Sequence, residues 1–137
     1  MFRIISKLKN KKGFTLIELI VVLAVLAIIM AIAVPRFLGV QKSAKVDSDE
    51  AILASIAKLA ELEYVRNNNV AVTDITNLVK NNFNEYSTGN LFQSETVSNT
   101  AKIEATYDNG YVKTIKVEGL NGGAAISRGA DGRFNLD

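Results

Sequence analysis

Sixteen consecutive residues, Leu19 to Val34, contain no polar or charged side chain. Extended back to Phe14, the stretch is 21 residues, about 31 Å long as a helix and enough to cross the hydrocarbon core of a bilayer. Such a run has few ways to fold in water, so it dictates where the chain goes. Arg3, Lys7, Lys9, Lys11 and Lys12 precede it, and no acidic residue occurs among the first thirteen. Positive charge on one flank holds that flank in the cytoplasm and sends the remainder across. The chain is therefore expected to be bitopic before any assembly.

Three readings compete for this segment. An ordinary secretory signal peptide finds a small-residue cleavage site at Ala31-Ile32-Ala33, with the new terminus at Val34. A plain signal anchor accounts for the apolar length and the basic flank. Neither accounts for Glu18, a lone carboxylate inside the start of the apolar segment, or for Gly13 directly before Phe14. An ionisable group at membrane depth ordinarily has a partner and a function. A glycine before a cut lets a protease approach an extended backbone closely.

Lys11-Lys12-Gly13-Phe14-Thr15-Leu16-Ile17-Glu18, followed by the apolar run, resembles the processing site of type IV pilins and pseudopilins. The resemblance implies cleavage by a prepilin peptidase between Gly13 and Phe14, and N-methylation of the new amine on Phe14. It also implies that Glu18 pairs with the N-terminal amine of an adjacent subunit, so that Phe14 and Glu18 are the assembly residues. Such a charge pair in an apolar core specifies register more than it adds stability. Pro35, the single proline, lacks an amide donor and is expected to kink the helix, with Gly39 weakening the same turn. It either ends the membrane span or lets the stalk bend.

Removing residues 1–13 takes away five of the sixteen basic side chains, leaving eleven against fourteen acidic ones, a formal charge of −3. The basic character of the whole chain belongs largely to the leader, and direct nucleic-acid binding is not expected. The chain has no histidine and no cysteine. That removes Cys/His zinc sites, thiol nucleophiles and Ser-His-Asp triads, and it removes the C-terminal disulfide found in many Gram-negative pilins. The lack of cysteine in an exported chain fits a pilin of another lineage, a pseudopilin or a reducing habitat. No enzyme activity and no cofactor are expected. Some major pseudopilins hold calcium in a C-terminal loop. Here Asp131 and Asp137 are the acidic residues near that end, Asp131-Gly132 reads as a turn, and no metal site is expected.

Residues 36–66 read as an amphipathic helix continuing the stalk. Ile52, Leu53, Ile56, Leu59, Ala60 and Tyr64 form one apolar stripe, with Leu62 and Val65 off it, and Asn67-Asn68-Asn69 ends the helix. Residues 67–100 are read as a variable connection, with a short helix over 73–83 capped by Thr73 and a polar loop over 84–100. Residues 101–137 are read as antiparallel sheet. Around Asp108-Asn109-Gly110 a three-residue hairpin loop is expected, pairing Tyr107 with Tyr111 and Ile103 with Ile115. Further strands are expected at 124–127 and 133–136, separated by the turn Arg128 to Gly132.

The fold class expected is α+β: a long N-terminal helix whose second half packs on a small antiparallel meander, as in the pilin fold. Within the family, the first expectation is a major pilin that homopolymerises into a type IV filament. Its partners would be the prepilin peptidase, an inner-membrane assembly platform and an ATPase motor. It would sit in the cytoplasmic membrane before assembly and on the cell surface afterwards. A pseudopilin of a secretion or DNA-uptake system, and a membrane-anchored domain that never polymerises, remain open.

Overall fold

The structure, a computed structural model, describes residues 13–136. The basic side chains of the leader and Asp137 lie outside the described residues. The element order is α1 (Leu16–Arg66), α2 (Thr76–Asn82), α3 (Asn84–Thr88), β1 (Ile103–Asp108), β2 (Tyr111–Val117) and β3 (Ala125–Ser127), with a single 3-10 turn at Asn121–Gly123 before β3. Long helix and three-stranded antiparallel sheet make the chain α+β, as expected. It divides after Gly39 into two units, and α1 is assigned as helix on both sides of the division.

In the C-terminal unit the expected helical stripe is buried at Leu53, Ile56 and Ala60, with Ile52, Leu59 and Tyr64 half-buried at its margins and Ala57 added to its centre. Leu53, Ile56, Ala57 and Ala60 are inaccessible to solvent and join Ile103, Ala105, Val112, Ile115, Val117, Ile126 and Phe134 in one core. Each large apolar side chain removed from water here contributes about 1.5–3 kcal/mol. Leu62 and Val65 point outward. The helix ends at the asparagine run: Asn68 and Asn69 take positive φ, and the Asn69 N–H reaches back to the Tyr64 carbonyl at 2.9 Å, a left-handed termination that asparagine tolerates.

The hairpin differs from expectation. Asp108 pairs with Tyr111, so the loop has two residues, and Asn109 (φ 51) and Gly110 (φ 87) take the two positive φ values of a type I′ turn. The register then shifts between Thr106 and Tyr107: Thr106 faces Thr114, while Tyr107 faces Val112. This bulge inserts Lys113 as an extra residue in β2. It brings Ile103 opposite Val117 and Ala105 opposite Ile115. The core face of β2 is therefore Val112, Ile115 and Val117, with Tyr111 exposed. Strict alternation had assigned Tyr111 to that face because it carried no bulge.

Two further expectations are corrected between residues 73 and 100. Thr73 does not cap α2. Its carbonyl accepts the Ala105 N–H at 2.8 Å and the Ile75 N–H donates to the Ile103 carbonyl at 3.0 Å, so this segment covers the free edge of β1. The turn into α2 is organised instead by Asp74, whose carboxylate accepts the Thr76 N–H and hydroxyl at 3.1 and 2.6 Å. Residues 84–100 are not wholly loop, because α3 forms one turn there. Its buried Tyr86 donates its hydroxyl to the Ala101 carbonyl, and Gly89 (φ 73) ends it. β3 lies where a strand was expected. Phe134 contributes a single bridge to Arg128, across a turn closed by Gly132 N–H to Gly129 carbonyl at 2.9 Å.

Three carboxylates on α1 tie the segments of this unit to the helix. Asp49, fully buried, accepts the N–H groups of Gln93 and Ser94 and the Ser94 hydroxyl. Glu50 accepts the Leu136 N–H at 3.0 Å. Glu61 accepts the Val112 N–H at 3.0 Å, beside the bulge, and the Arg128 guanidinium at 2.8 Å. The Arg128 guanidinium also lies over the Phe134 ring, 5.9 Å from its centre.

Candidate functional site: the N-terminal helix and its first turn

In the N-terminal unit, Gly13, Phe14 and Thr15 are non-helical and exposed, and α1 starts at Leu16. Its start is fixed by two reciprocal bonds. The Thr15 N–H donates to Glu18 Oε2 at 2.8 Å, and the Glu18 N–H donates to the Thr15 hydroxyl oxygen at 3.3 Å. This is a capping box, in which two of the helix's unpaired donors are satisfied by side chains. The Thr-x-x-Glu spacing of such a box is present in the sequence, and it gives Glu18 a local role within its own chain.

Glu18 is thus exposed in the first turn, and within the single chain its carboxylate already accepts one hydrogen bond. A carboxylate at this end is also favoured by the helix dipole. Phe14 stands four residues before Glu18, 92% exposed. The structure thus keeps Gly13 and Phe14 in an irregular, accessible stretch immediately before a capped helix.

From Leu19 onward the helix presents apolar side chains on every side. The large ones between Leu16 and Val40 are between 44% and 76% exposed, Leu26 being the least and Leu16 the most. The helix is long and apolar enough to cross a membrane. The next charged residue after Glu18 is Arg36, about 27 Å along the axis at 1.5 Å per residue, close to the thickness of a bilayer core. A helix that is apolar all round is stable only inside lipid or inside protein.

Pro35 and Gly39 both lie within α1, which is assigned as helix through both positions. Pro35 still withholds the N–H that the Ala31 carbonyl needs. A side chain at Gly39 would meet nothing within 4 Å, so no packing inside the chain requires glycine there. At the C-terminal end, Asp131 spends its carboxylate on the Arg133 N–H at 3.1 Å. No metal-binding group of His, Cys, Asp or Glu occurs among the described residues.

Residues 8–34 match the prokaryotic N-terminal methylation motif. The chain is 39% identical over 61 residues to the type IV wide pilus major component PilA4 of Thermus thermophilus, covering 44% of this chain and 47% of that one. It is 49% identical over 55 residues to the prepilin peptidase-dependent protein A of Clostridium perfringens, covering 39% of each. With the type IV major pilin protein PilE of Neisseria gonorrhoeae it shares 32% identity over 108 residues, 79% of this chain and 52% of that one. The chain thus spans about half the length, or less, of these curated relatives. No solved structure matches it. The chain thus carries the type IV pilin signal at its N-terminus, on a long apolar helix followed by a small antiparallel sheet, and is similar to type IV pilins and to a prepilin peptidase-dependent protein.

Proposed function

We propose that this chain is a structural subunit of a type IV pilus or pilus-like filament and works by association rather than catalysis. The observation that carries this reading is the uncovered apolar helix, interrupted by one carboxylate at its capped start. Lipid satisfies the apolar side chains before assembly. Bundled helices of other copies satisfy them afterwards, and only the bundle also supplies a cationic partner for Glu18.

Each named residue has a part in that sequence of events. Cleavage after Gly13 removes the basic leader and frees the amine of Phe14, which is the methylation site. Once free, that amine is the natural counter-charge for Glu18 of a neighbouring copy, because apolar surroundings make an unpaired carboxylate costly. Pairing aligns one helix against the next. Pro35 and Gly39 provide the place where α1 bends or opens as subunits pack. The prepilin peptidase, an assembly platform and its ATPase are the machinery this route requires. The C-terminal unit, with its charged and hydroxyl-bearing sheet face, forms the outer surface.

The test is the Glu18→Gln variant. Glutamine keeps the capping box, since its amide oxygen accepts the same bond, but removes the charge. The variant should insert and be cleaved normally yet give few filaments by electron microscopy of sheared cell-surface material. Filaments in normal number would contradict the pairing role. Surface fibres would identify a major pilin. A processed subunit confined to the envelope would identify a pseudopilin of a secretion or DNA-uptake system.

A further inference from the structure

Asparagine followed by glycine occurs twice, at Asn109-Gly110 and at Asn121-Gly122. In such a pair the glycine nitrogen is unhindered by a side chain and can attack the asparagine side-chain carbonyl carbon. A new C–N bond closes a five-membered succinimide and ammonia leaves. Water then opens the ring at either carbonyl to give aspartate or isoaspartate. The net change is one water consumed and one ammonia released, with no other reactant. Attack requires the asparagine backbone to rotate until the glycine nitrogen lies behind the amide carbon. The rate therefore depends on how firmly the fold holds the pair.

The two sites are held very differently. Asn121 is half-buried. Its N–H donates to Glu95 Oε2 at 2.9 Å, its carbonyl accepts the Ala124 N–H at 3.0 Å, and the Gly123 N–H closes on the Leu120 carbonyl at 2.9 Å. Rotation there breaks bonds on both sides of the residue. Asn109 is exposed at the tip of the type I′ turn, and among the described residues neither its side-chain amide nor the Gly110 N–H is hydrogen-bonded.

We propose that Asn109 is a spontaneous modification site of the folded protein, converting to aspartate and isoaspartate while Asn121 is spared. The consequence is local and structural. Gly110 lies against the Tyr64 ring, where an added Cβ would stand 3.0 Å from Cε1, and Tyr64 stacks on Tyr107 with centroids 5.7 Å apart. Isoaspartate lengthens the turn by one backbone atom under that stack and adds a carboxylate beside Asp108. The hairpin tip then loses its seat on α1, which gives an exported protein a mark of its age. This inference is independent of filament assembly.

The experiment ages the full-length protein in detergent at mildly alkaline pH and follows both sites by peptide mass spectrometry, with isoaspartate read by its separate chromatographic peak. Synthetic peptides containing each pair give the unrestrained rates. The expected result is conversion at Asn109 several-fold faster than at Asn121 in the folded protein, near-equal rates in the peptides, and a loss of tyrosine near-ultraviolet circular dichroism that tracks conversion. An Asn109→Gln variant, which removes the fast site, should keep its dichroism through the same ageing. Equal rates at the two sites in the folded protein, faster conversion at Asn121, or no conversion at Asn109 while its peptide converts would each overturn the proposal.

Discussion

The buried carboxylate of Asp49 accepts the backbone N–H groups of Gln93 and Ser94 at 2.7 and 2.8 Å, joining α1 to a segment more than forty residues away in sequence. The two donors are consecutive amides that no strand or helix engages. Replacing Asp49 by alanine strands both, together with the Ser94 hydroxyl. Bonds to a charged group contribute about 1.5–3 kcal/mol each, and stranded buried donors cost about 1–3 kcal/mol. Asp49→Ala should therefore lower the unfolding free energy of the C-terminal unit by about 3 kcal/mol in denaturant titration. Asp49→Asn should cost less, since one oxygen remains to accept.

Glu61 and Arg128 make an unequal pair. Removing Arg128 leaves Glu61 with the Val112 N–H, but removing Glu61 strands that amide beside the bulge. Glu61→Ala should therefore destabilise more than Arg128→Ala. Both side chains keep some contact with water, so a double-mutant cycle should give a coupling of about 1 kcal/mol.

The hairpin tip demands glycine at one position. Gly110 has φ 87, and an added Cβ would come within 3.0 Å of the Tyr64 ring. A left-handed non-glycine residue costs about 1–2 kcal/mol, and the ring contact adds to this. Gly110→Ala should lower the midpoint of thermal unfolding and weaken the tyrosine near-ultraviolet signal. Gly122→Ala, where nothing lies within 4 Å, should incur the backbone cost alone and leave that signal intact.

Alkaline pH should destabilise the C-terminal unit. Burial raises the hydroxyls of Tyr86 and Tyr107 above the ordinary tyrosine value of 10.0, and nearby carboxylates push the same way. The folded state therefore holds these protons longer than the unfolded chain does. Stability is complete below pH 10 and falls as the pH climbs from there through the raised values. Lys102, raised by its bond to Glu104, acts in the same direction from 10.5, though it is exposed. The Tyr86→Phe, Tyr107→Phe double variant should be less stable at neutral pH, having lost the bonds to Ala101 and Val72, but should show a shallower decline above pH 10.

Much of this was legible in the sequence because it is written in simple periods. The unbroken apolar run, the stripe at Leu53, Ile56 and Ala60, and the asparagine terminus of α1 each follow from one local rule. The hairpin was legible as a hairpin but not in register. The two-residue turn and the bulge at Lys113 compensate for one another, and alternation alone cannot show a bulge. α3 escaped because one helical turn of polar residues has no period; its stability comes from Tyr86 and Ala101, a tertiary contact. Asp49, Glu50 and Glu61 carry no signal in the sequence, since their role depends on which loop amides the fold brings over them. At the candidate site the motif itself was plain, whereas the Thr15–Glu18 box shares its glutamate with that motif, so the spacing alone does not separate the local role from an intermolecular one.

The central claim is that the chain is a processed filament subunit, and the N-terminus of the native protein tests it most directly. Mass spectrometry of protein recovered from cells or sheared surface material should find a chain beginning at Phe14, with or without an added methyl group. A chain beginning at Met1 would mark a plain anchor and one beginning at Val34 an ordinary secreted protein; either would contradict the account.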